Sequence, residues 1–449
     1  MSKANINVKK VKYGKTERYK FGKIDEVLEV PDLIEVQKES YNQFITKGIR
    51  DVLRDFSPIT DTDNLNRSER EEDKDSRVEL HFLEHSISGT PKYSEAECKV
   101  RDATYSLPLK VKVRLVYKET GEIVDQEVFM GDVPLMTQNG SFIINGAERA
   151  IVSQLVRSPG VYCKEGLNKT GNYVVTTSLM PARGEWIEWE EDTNGVLWVH
   201  VARSRKMIGT IFLRALGLGT DEQLLQMFHN HPTIQKTIEK DFTKSEDEAL
   251  VEISKRLRPG EVINLKAIKK WLEKMFYNTR RYDITRVGRH KYDQKLSLAN
   301  RISGLTSAED VISPEGEVFV TAGEVINEET AWKIQNAGIN EVWVATQKDK
   351  FCVRGNGRVN LKAAFGIDGE PLEIDELVHY ATTKELLKNA KNKQQKMEIL
   401  EKYRDLIMGR HLMLDDILAS VNYHLSLGEK IGTYDDVDHL GNRRVKAVG

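Results

Sequence analysis

The residues able to do chemistry fall into a few groups. Arg149 and Arg157 stand eight positions apart around the apolar run Ala150-Ile151-Val152, preceded by two Asn-Gly pairs, Asn139-Gly140 and Asn145-Gly146. Near the other end, Asp435-Asp436-Val437-Asp438-His439-Leu440-Gly441-Asn442-Arg443-Arg444 sets carboxylates beside a histidine and two guanidiniums. Clustered carboxylates serve two-metal nucleotidyl transfer. A turn at Gly441-Asn442 gives a second reading, with Asp438 and Arg443 within reach of each other as an acceptor beside a donor fork. Such a pair is able to read a guanine. Trp186, Trp189 and Trp198 lie close together; aromatics this dense build a core first, with a stacking platform as the alternative. The triplet His229-Asn230-His231 invites a metal or nuclease reading, yet no His, Cys or acid cluster accompanies it, so it reads as a surface helix end.

These residues need elements to hold them. Asn and Gly both tolerate positive φ, so each Asn-Gly pair suits a tight reversal. If 149–157 is extended, period-two geometry puts Arg149, Ile151, Ser153, Leu155 and Arg157 on one face and Val152 and Gln154 on the other; a helix is the weaker reading. Upstream, 31–56 has helical spacing, with Leu33, Val36, Tyr41, Phe44 and Ile45 on a core face. Residues 105–117 alternate, Leu107, Leu109, Val111, Val113 and Leu115 against Lys110, Lys112 and Arg114, and a turn at 118–122 leads into a second strand at 123–130. The basic face is read as serving solubility, with DNA phosphate as the alternative. Residues 61–75 are a mixed-charge loop. Residues 172–201 read as strands, and 207–218, 222–229, 249–257 and 266–276 as helices. A small β-rich stretch is expected at 308–368, and one charged amphipathic helix at 385–408.

Composition bounds the class. With 449 residues, 39% hydrophobic and 30% charged, the chain has room for two or three domains with sizeable cores. No apolar run has the length to span a bilayer, and the basic start, read as a solvated tail, has no apolar signal region behind it; cytoplasm is the expected location and no membrane partner is expected. The net charge of −2 confines any nucleic-acid contact to a local patch. Cys98, Cys163 and Cys352 are too far apart in sequence for a zinc knuckle or a disulfide framework, so free thiols are expected.

The stretch FMGDVPLMTQNGSFIINGAERAIVSQLVRSPGVY, at 129–162, resembles the bacterial RNA polymerase β subunit through MGD-PLMT, G-FIINGAER, IVSQL and RSPGV. Arg281-Tyr282-Asp283-Ile284, Val287-Gly288-Arg289 and the closing DD-DHLGNRR extend the resemblance over most of 20–449. It implies an α+β fold: a mixed sheet-and-helix protrusion domain with a nested α/β lobe domain. The expected layout is a basic tail at 1–25, protrusion at 26–145, lobe at 146–415 and a return to the protrusion at 416–449. The family's jaw of the DNA cleft holds the non-template strand and downstream duplex; its guanine pocket maps onto Arg157, Val437, Asp438 and Arg443, and its base-stacking aromatic onto Trp186. Val152 and Gln154 match the periphery of the rifamycin pocket. Ile123-Val124-Asp125 falls where relatives dock the transcription-repair coupling factor, commonly through Ile-Lys-Glu, and Val124 replaces the lysine. Expected partners are the β′, α and sigma subunits and promoter and downstream DNA. No cofactor is expected on this chain, since the family's catalytic aspartates and their Mg2+ lie on β′. Gly449 falls inside a family motif ahead of the fork, flap and active-site lysines, so the chain is expected to be a truncated subunit or excised piece, inactive alone. The rival reading is a free-standing jaw module that binds only transcription regulators.

Overall fold

The computed structural model describes residues 8–21, 32–60, 77–167, 171, 173–202, 204–260, 263–278, 281–314, 316–347, 349–372, 374–388, 390 and 392–447. The mixed-charge run expected as a loop at 61–75 lies outside them. The chain forms two compact units, the first of Met1–Gln154 with Val445–Gly449, the second of Leu155–Arg444. Helices and antiparallel sheets occur in both, as an α+β chain requires.

The first unit opens with a hairpin, β1 (Val8–Tyr13) and β2 (Thr16–Phe21), turned at Gly14, where a solvated tail was expected. Then come α1 (Glu35–Gln43), a π-turn over Phe44–Gly48, and α2 (Ile49–Phe56). The π-turn breaks the 3.6-residue period, so one core face cannot run through. Leu33, ahead of α1, and Val36 are exposed, while Tyr41 packs its ring edge on Phe142 and donates to the Pro134 carbonyl at 2.7 Å. β3 (Ile59–Thr60) and β4 (Val78–Ile87) follow, then α3 (Glu95–Val100), capped by the Ser94–Glu97 box. β5 (Ser106–Tyr117) and β6 (Ile123–Pro134) complete a sheet ordered β3-β4-β5-β6. The alternation read from the sequence holds, with Val111 and Val113 buried. On the basic face Arg114 forms a bidentate pair with Asp125, its register partner, and Lys110 reaches Glu127, so β6 supplies carboxylates to two of the basic residues of β5.

β7 (Phe142–Ile144) and β8 (Ala147–Arg149) make the second reversal. Asn145 and Gly146 have φ of 50° and 75°, the pair of positive angles a type I′ turn demands. At the first reversal Gly140 N–H closes on the Thr137 carbonyl. The expected single strand over 149–157 is two: β8 ends at Arg149, and β9 (Gln154–Arg157) begins after a gap. Gln37 reaches into that gap, donating to the Ile151 carbonyl at 2.6 Å and to Ser153 Oγ at 2.9 Å, while Val152 stands 85% exposed. Residues 150–153 form no strand.

The second unit is built on an antiparallel meander, β10 (Gly160–Leu167), β11 (Tyr173–Met180), β12 (Ile187–Glu191), β13 (Leu197–Val201) and β14 (Met207–Ile208). A helical run follows: α4 (Gly209–Ala215), α5 (Asp221–Met227), α6 (Pro232–Lys240), α7 (Glu246–Leu257), α8 (Leu265–Phe276), α9 (Thr285–Leu296) and α10 (Leu298–Ile302). β15 (Val311–Ile312), β16 (Val318–Val320), α11 (Glu328–Asn336), β17 (Glu341–Ala345) and β18 (Lys350–Arg354) form the β-rich stretch. Its Val320, Ile334, Val344 and Val353 join the unit's main core, continuous with Trp189 and Phe212. β19 (Arg358–Val359), α12 (Leu361–Phe365), β20 (Val378–His379), α13 (Tyr380–Leu387), α14 (Lys393–Lys402) and α15 (Arg404–Met408) enclose a smaller core. The single helix expected at 385–408 is thus replaced by α13, α14 and α15, the last break falling at Tyr403, whose ψ of 22° leaves the helical range. α16 (Leu414–Gly428) buries Ile417, Leu418, Val421 and Leu425 in the main core of the second unit. β21 (Arg443–Lys446) pairs with β9.

Candidate nucleic-acid interface

The face carrying Arg157 is made by backbone pairing. Ser158 N–H donates to the Asn442 carbonyl at 2.9 Å, which brings Arg157 and Arg443 alongside although 286 residues separate them in sequence. A short 3-10 turn over Leu440–Asn442, capped by the His439 ring, folds the chain back so that Arg443 forms an ion pair with Asp438. The turn read from Gly441-Asn442 therefore does what its chemistry suggests. Asp438 is 78% exposed at its side chain and Arg443 26%, so the acceptor is open to solvent and the donor half sheltered. Val437 is part-buried.

Neighbouring elements fix the floor. The Tyr162 ring, on β10, lies 6.0 Å from the Arg157 guanidinium and 5.9 Å from Lys291 Nζ, and its hydroxyl donates to the Ser158 carbonyl at 2.6 Å. Burial pushes the Tyr162 hydroxyl above its ordinary pKa, and Arg157 and Arg443 both pull against that shift. Lys291, on α9, donates to the Gly441 carbonyl at 2.9 Å, holding the turn. One helical turn on, Lys295 meets Asp435 at 2.8 Å; burial lowers its pKa, but Cys163 and Asp435 outweigh that and hold it raised. Asp435 also accepts from Cys163 N–H at 2.7 Å. Asp435 is therefore paired with Lys295 and Asp438 with Arg443. Lys291 and Lys295 were not singled out from the sequence; their i, i+4 spacing on α9 was the available signal.

Trp186 is reached through Met180. Arg157 Nη1 lies 3.7 Å from Met180 Sδ, at the end of β11. The β11–β12 ladder ends at the Leu179–Ile187 pair, and Met180 and Trp186 are the residues next beyond it. The loop before Trp186 is anchored on the Arg281–Ile284 segment: Ala182 and Arg183 N–H groups donate to the Asp283 carbonyl, and Asp283 N–H donates back to Arg183. Gly184, at φ 127°, lies flat on the Tyr282 ring, and a Cβ there would meet that ring at 2.6 Å. Trp189 is fully buried, its indole N–H donating to Ser420 Oγ at 3.1 Å, and Trp198 is part-buried beside Lys206 and Lys240. Trp186 alone of the three is 45% exposed.

Of the remaining residues marked by sequence, Arg149, Ile151, Val152 and Gln154 are exposed. Ile123 and Val124 are exposed on β6, an edge strand of its sheet, and Asp125 is held by Arg114. A second Arg–Asp group, unmarked by sequence, lies wholly inside the second unit. Arg289 donates to Asp416 at 2.8 Å, Asn356 donates to both Asp293 and Asp416, and Arg358 stands 3.7 Å from Asp293. Burial raises the pKa of Asp416, but Arg289 more than offsets it and the carboxyl is held low; Asp293, where burial dominates, is raised. Burial also lowers Arg358 to about 10. Among the described residues, one group offers metal-ligand atoms together, His229, Glu341 and Cys352. All three cysteines are buried free thiols.

Residues 157–312 match the family model described as RNA polymerase Rpb2, domain 2. The chain is 47% identical over 98% of its length to the DNA-directed RNA polymerase subunit beta of Clostridioides difficile (strain 630), covering 35% of that protein. It is 46% identical to the same subunit of Alkaliphilus metalliredigens and 45% identical to that of Acetivibrio thermocellus, again over 98% of the chain and 34% of each relative. The chain thus spans about a third of the length of the relatives it matches.

Proposed function

We propose, for a chain that belongs to the bacterial RNA polymerase β-subunit family and aligns with its N-terminal part, that the face around Arg157 receives the displaced non-template strand in the DNA cleft. The observation that carries this reading is the half-exposed Asp438–Arg443 ion pair set beside Arg157. An unstacked guanine offers donors to Asp438 from its Watson–Crick edge and an acceptor to Arg443, so the base exchanges with an existing pair of matching polarity. Trp186 supplies a π-face for a neighbouring base, worth about 1–3 kcal/mol. Val437 gives an apolar wall, and Arg157 and Lys291 add local positive charge that a chain of net charge −2 cannot supply globally.

In this reading the chain positions DNA and leaves nucleotidyl transfer, with its Mg2+, to β′; α and sigma are the remaining partners, and the assembly works in the cytoplasm. No helix among the described residues is long and apolar enough to cross a membrane. Val152 and Gln154 would border the rifamycin pocket. The open edge of β6, with Ile123 and Val124 exposed, supports strand addition by a regulator such as the coupling factor. The test is promoter-complex lifetime in polymerase whose β subunit carries Trp186→Ala or Asp438→Ala. Both changes are expected to shorten it; unchanged lifetime and unchanged base preference in both would remove the pocket assignment.

A further inference from the structure

The group His229, Glu341 and Cys352 is assembled by sheet geometry from distant parts of the chain. In the β17–β18 ladder Trp343 pairs with Cys352 and Glu341 with Arg354. Directly opposed residues share a face, and so do residues two apart on one strand, so Glu341, Trp343, Cys352 and Arg354 lie on one side of this hairpin. The turn after α5 lays His229 over the same side, its ring 4.9 Å from that of Trp343. The triplet that reads as an isolated helix end is indeed at the end of α5, but it is not isolated. Its partners come from more than a hundred residues downstream, beyond what local spacing can reveal.

We propose that His229, Glu341 and Cys352 form a binding site for a borderline-soft divalent cation of the Zn2+ class, with three protein ligands and an open position for water. Their ligand atoms all lie within 4.8 Å of one another. His229 Nε2 and Glu341 Oε2 are 3.3 Å apart, close to the edge of about 3.4 Å that a tetrahedron with ordinary Zn–N and Zn–O bonds has. That contact is not a hydrogen bond: Nε2 is buried with no hydrogen-bond partner. A cation between the two atoms would satisfy both. Glu341 also divides its oxygens, Oε1 facing the Arg354 guanidinium and Oε2 facing His229. Arg354 thus acts as an outer partner that orients the carboxylate and leaves one oxygen free, the arrangement that tunes metal ligands. Cys352 is buried and has no disulfide, and imidazole with thiolate selects Zn2+ or Co2+ over Mg2+ or Ca2+. A bound ion would tie the turn after α5 to the β17–β18 hairpin. The site is independent of the DNA-binding face.

Burial, helped by Glu341 and opposed by Arg354 and Arg301, pushes the Cys352 thiol up to about 12. A cation must therefore displace the thiol proton, and affinity must rise with pH; Glu309 is the remaining charged group acting on the thiol.

The experiment titrates Co2+ into the 449-residue chain under reducing conditions and follows thiolate-to-cobalt charge-transfer absorption and Trp343 quenching. One equivalent is expected to give both signals, with proton release and displacement by Zn2+. Cys352→Ser is expected to abolish the charge-transfer band, Cys98→Ser and Cys163→Ser to leave it intact, and His229→Gln and Glu341→Gln to weaken affinity by more than about tenfold. Should a variant fail to fold, the parent chain still decides: Zn2+ should raise its melting temperature, and more so at higher pH. Absence of charge transfer in the parent, or its survival in Cys352→Ser, overturns the proposal.

Discussion

Among the Asp–Arg pairs of the second unit, Arg289–Asp416 and Arg443–Asp438 have the same chemistry and opposite surroundings. Asp416 accepts from Arg289 Nη1 at 2.8 Å and Nη2 at 3.1 Å, from Asn356 at 3.2 Å and from Met413 N–H at 3.1 Å, all fully buried. Asp438 meets Arg443 on the surface, and its side chain remains 78% exposed. A buried ion whose lone pairs are filled cannot change partners without leaving a charge in low dielectric. An exposed pair exchanges partners at little cost. The same two residue types therefore build a fixed scaffold in one place and a solvent-open, exchangeable pair in the other, and burial decides which.

The largest expected effect breaks the scaffold. Arg289→Met strands Asp416, and the second unit should lose about 3–5 kcal/mol, read as a lowered urea midpoint. If Asp416 proved dispensable in this way, the contrast between the pairs would fail.

The next effect concerns pH. His424 and His411 are buried, and burial lowers each from 6.5 to about 4. Both fold neutral, so between about 6.5 and about 4 the unfolded chain binds protons that the folded chain does not. Their stabilising contribution is complete above the unfolded value and falls as pH drops toward the folded one, by on the order of 3 kcal/mol for each histidine. Urea midpoints followed through Trp189 fluorescence over this window should decline, and the decline should be shallower in His424→Asn. On the receptive face, Trp186→Ala should weaken single-stranded DNA binding by about 1–3 kcal/mol, measured by fluorescence anisotropy. It should leave the urea midpoint within about 0.5 kcal/mol, because the ring is half exposed.

What the sequence disclosed follows from how local each cause is. The Asn145-Gly146 reversal, the alternating β5 and the Asp438–Arg443 turn each depend on a few adjacent residues, and each is found. The helix expected over 31–56 carries a π-turn, and the strand expected over 149–157 breaks, held by Gln37 from more than a hundred positions away. The Arg289–Asp416 cluster draws on residues 289, 293, 356, 358 and 416, and the His229 group on 229, 341 and 352; the local triplet marks His229 but not its partners, and local spacing does not join the residues of either set. The tryptophans are the instructive intermediate case. Density predicts a core for all three, and Trp189 obeys, yet Trp186 is half exposed.

The central claim is that the Asp438–Arg443 pair reads a base by exchange. Its most direct measurement compares the affinity of the chain and of Asp438→Ala for single-stranded oligonucleotides that differ by one guanine-to-adenine change. The parent is expected to prefer guanine by about 1–3 kcal/mol, and Asp438→Ala to lose the preference while keeping the urea midpoint of the parent. Equal affinity of the parent for both oligonucleotides, or a preference that survives in Asp438→Ala, would contradict it.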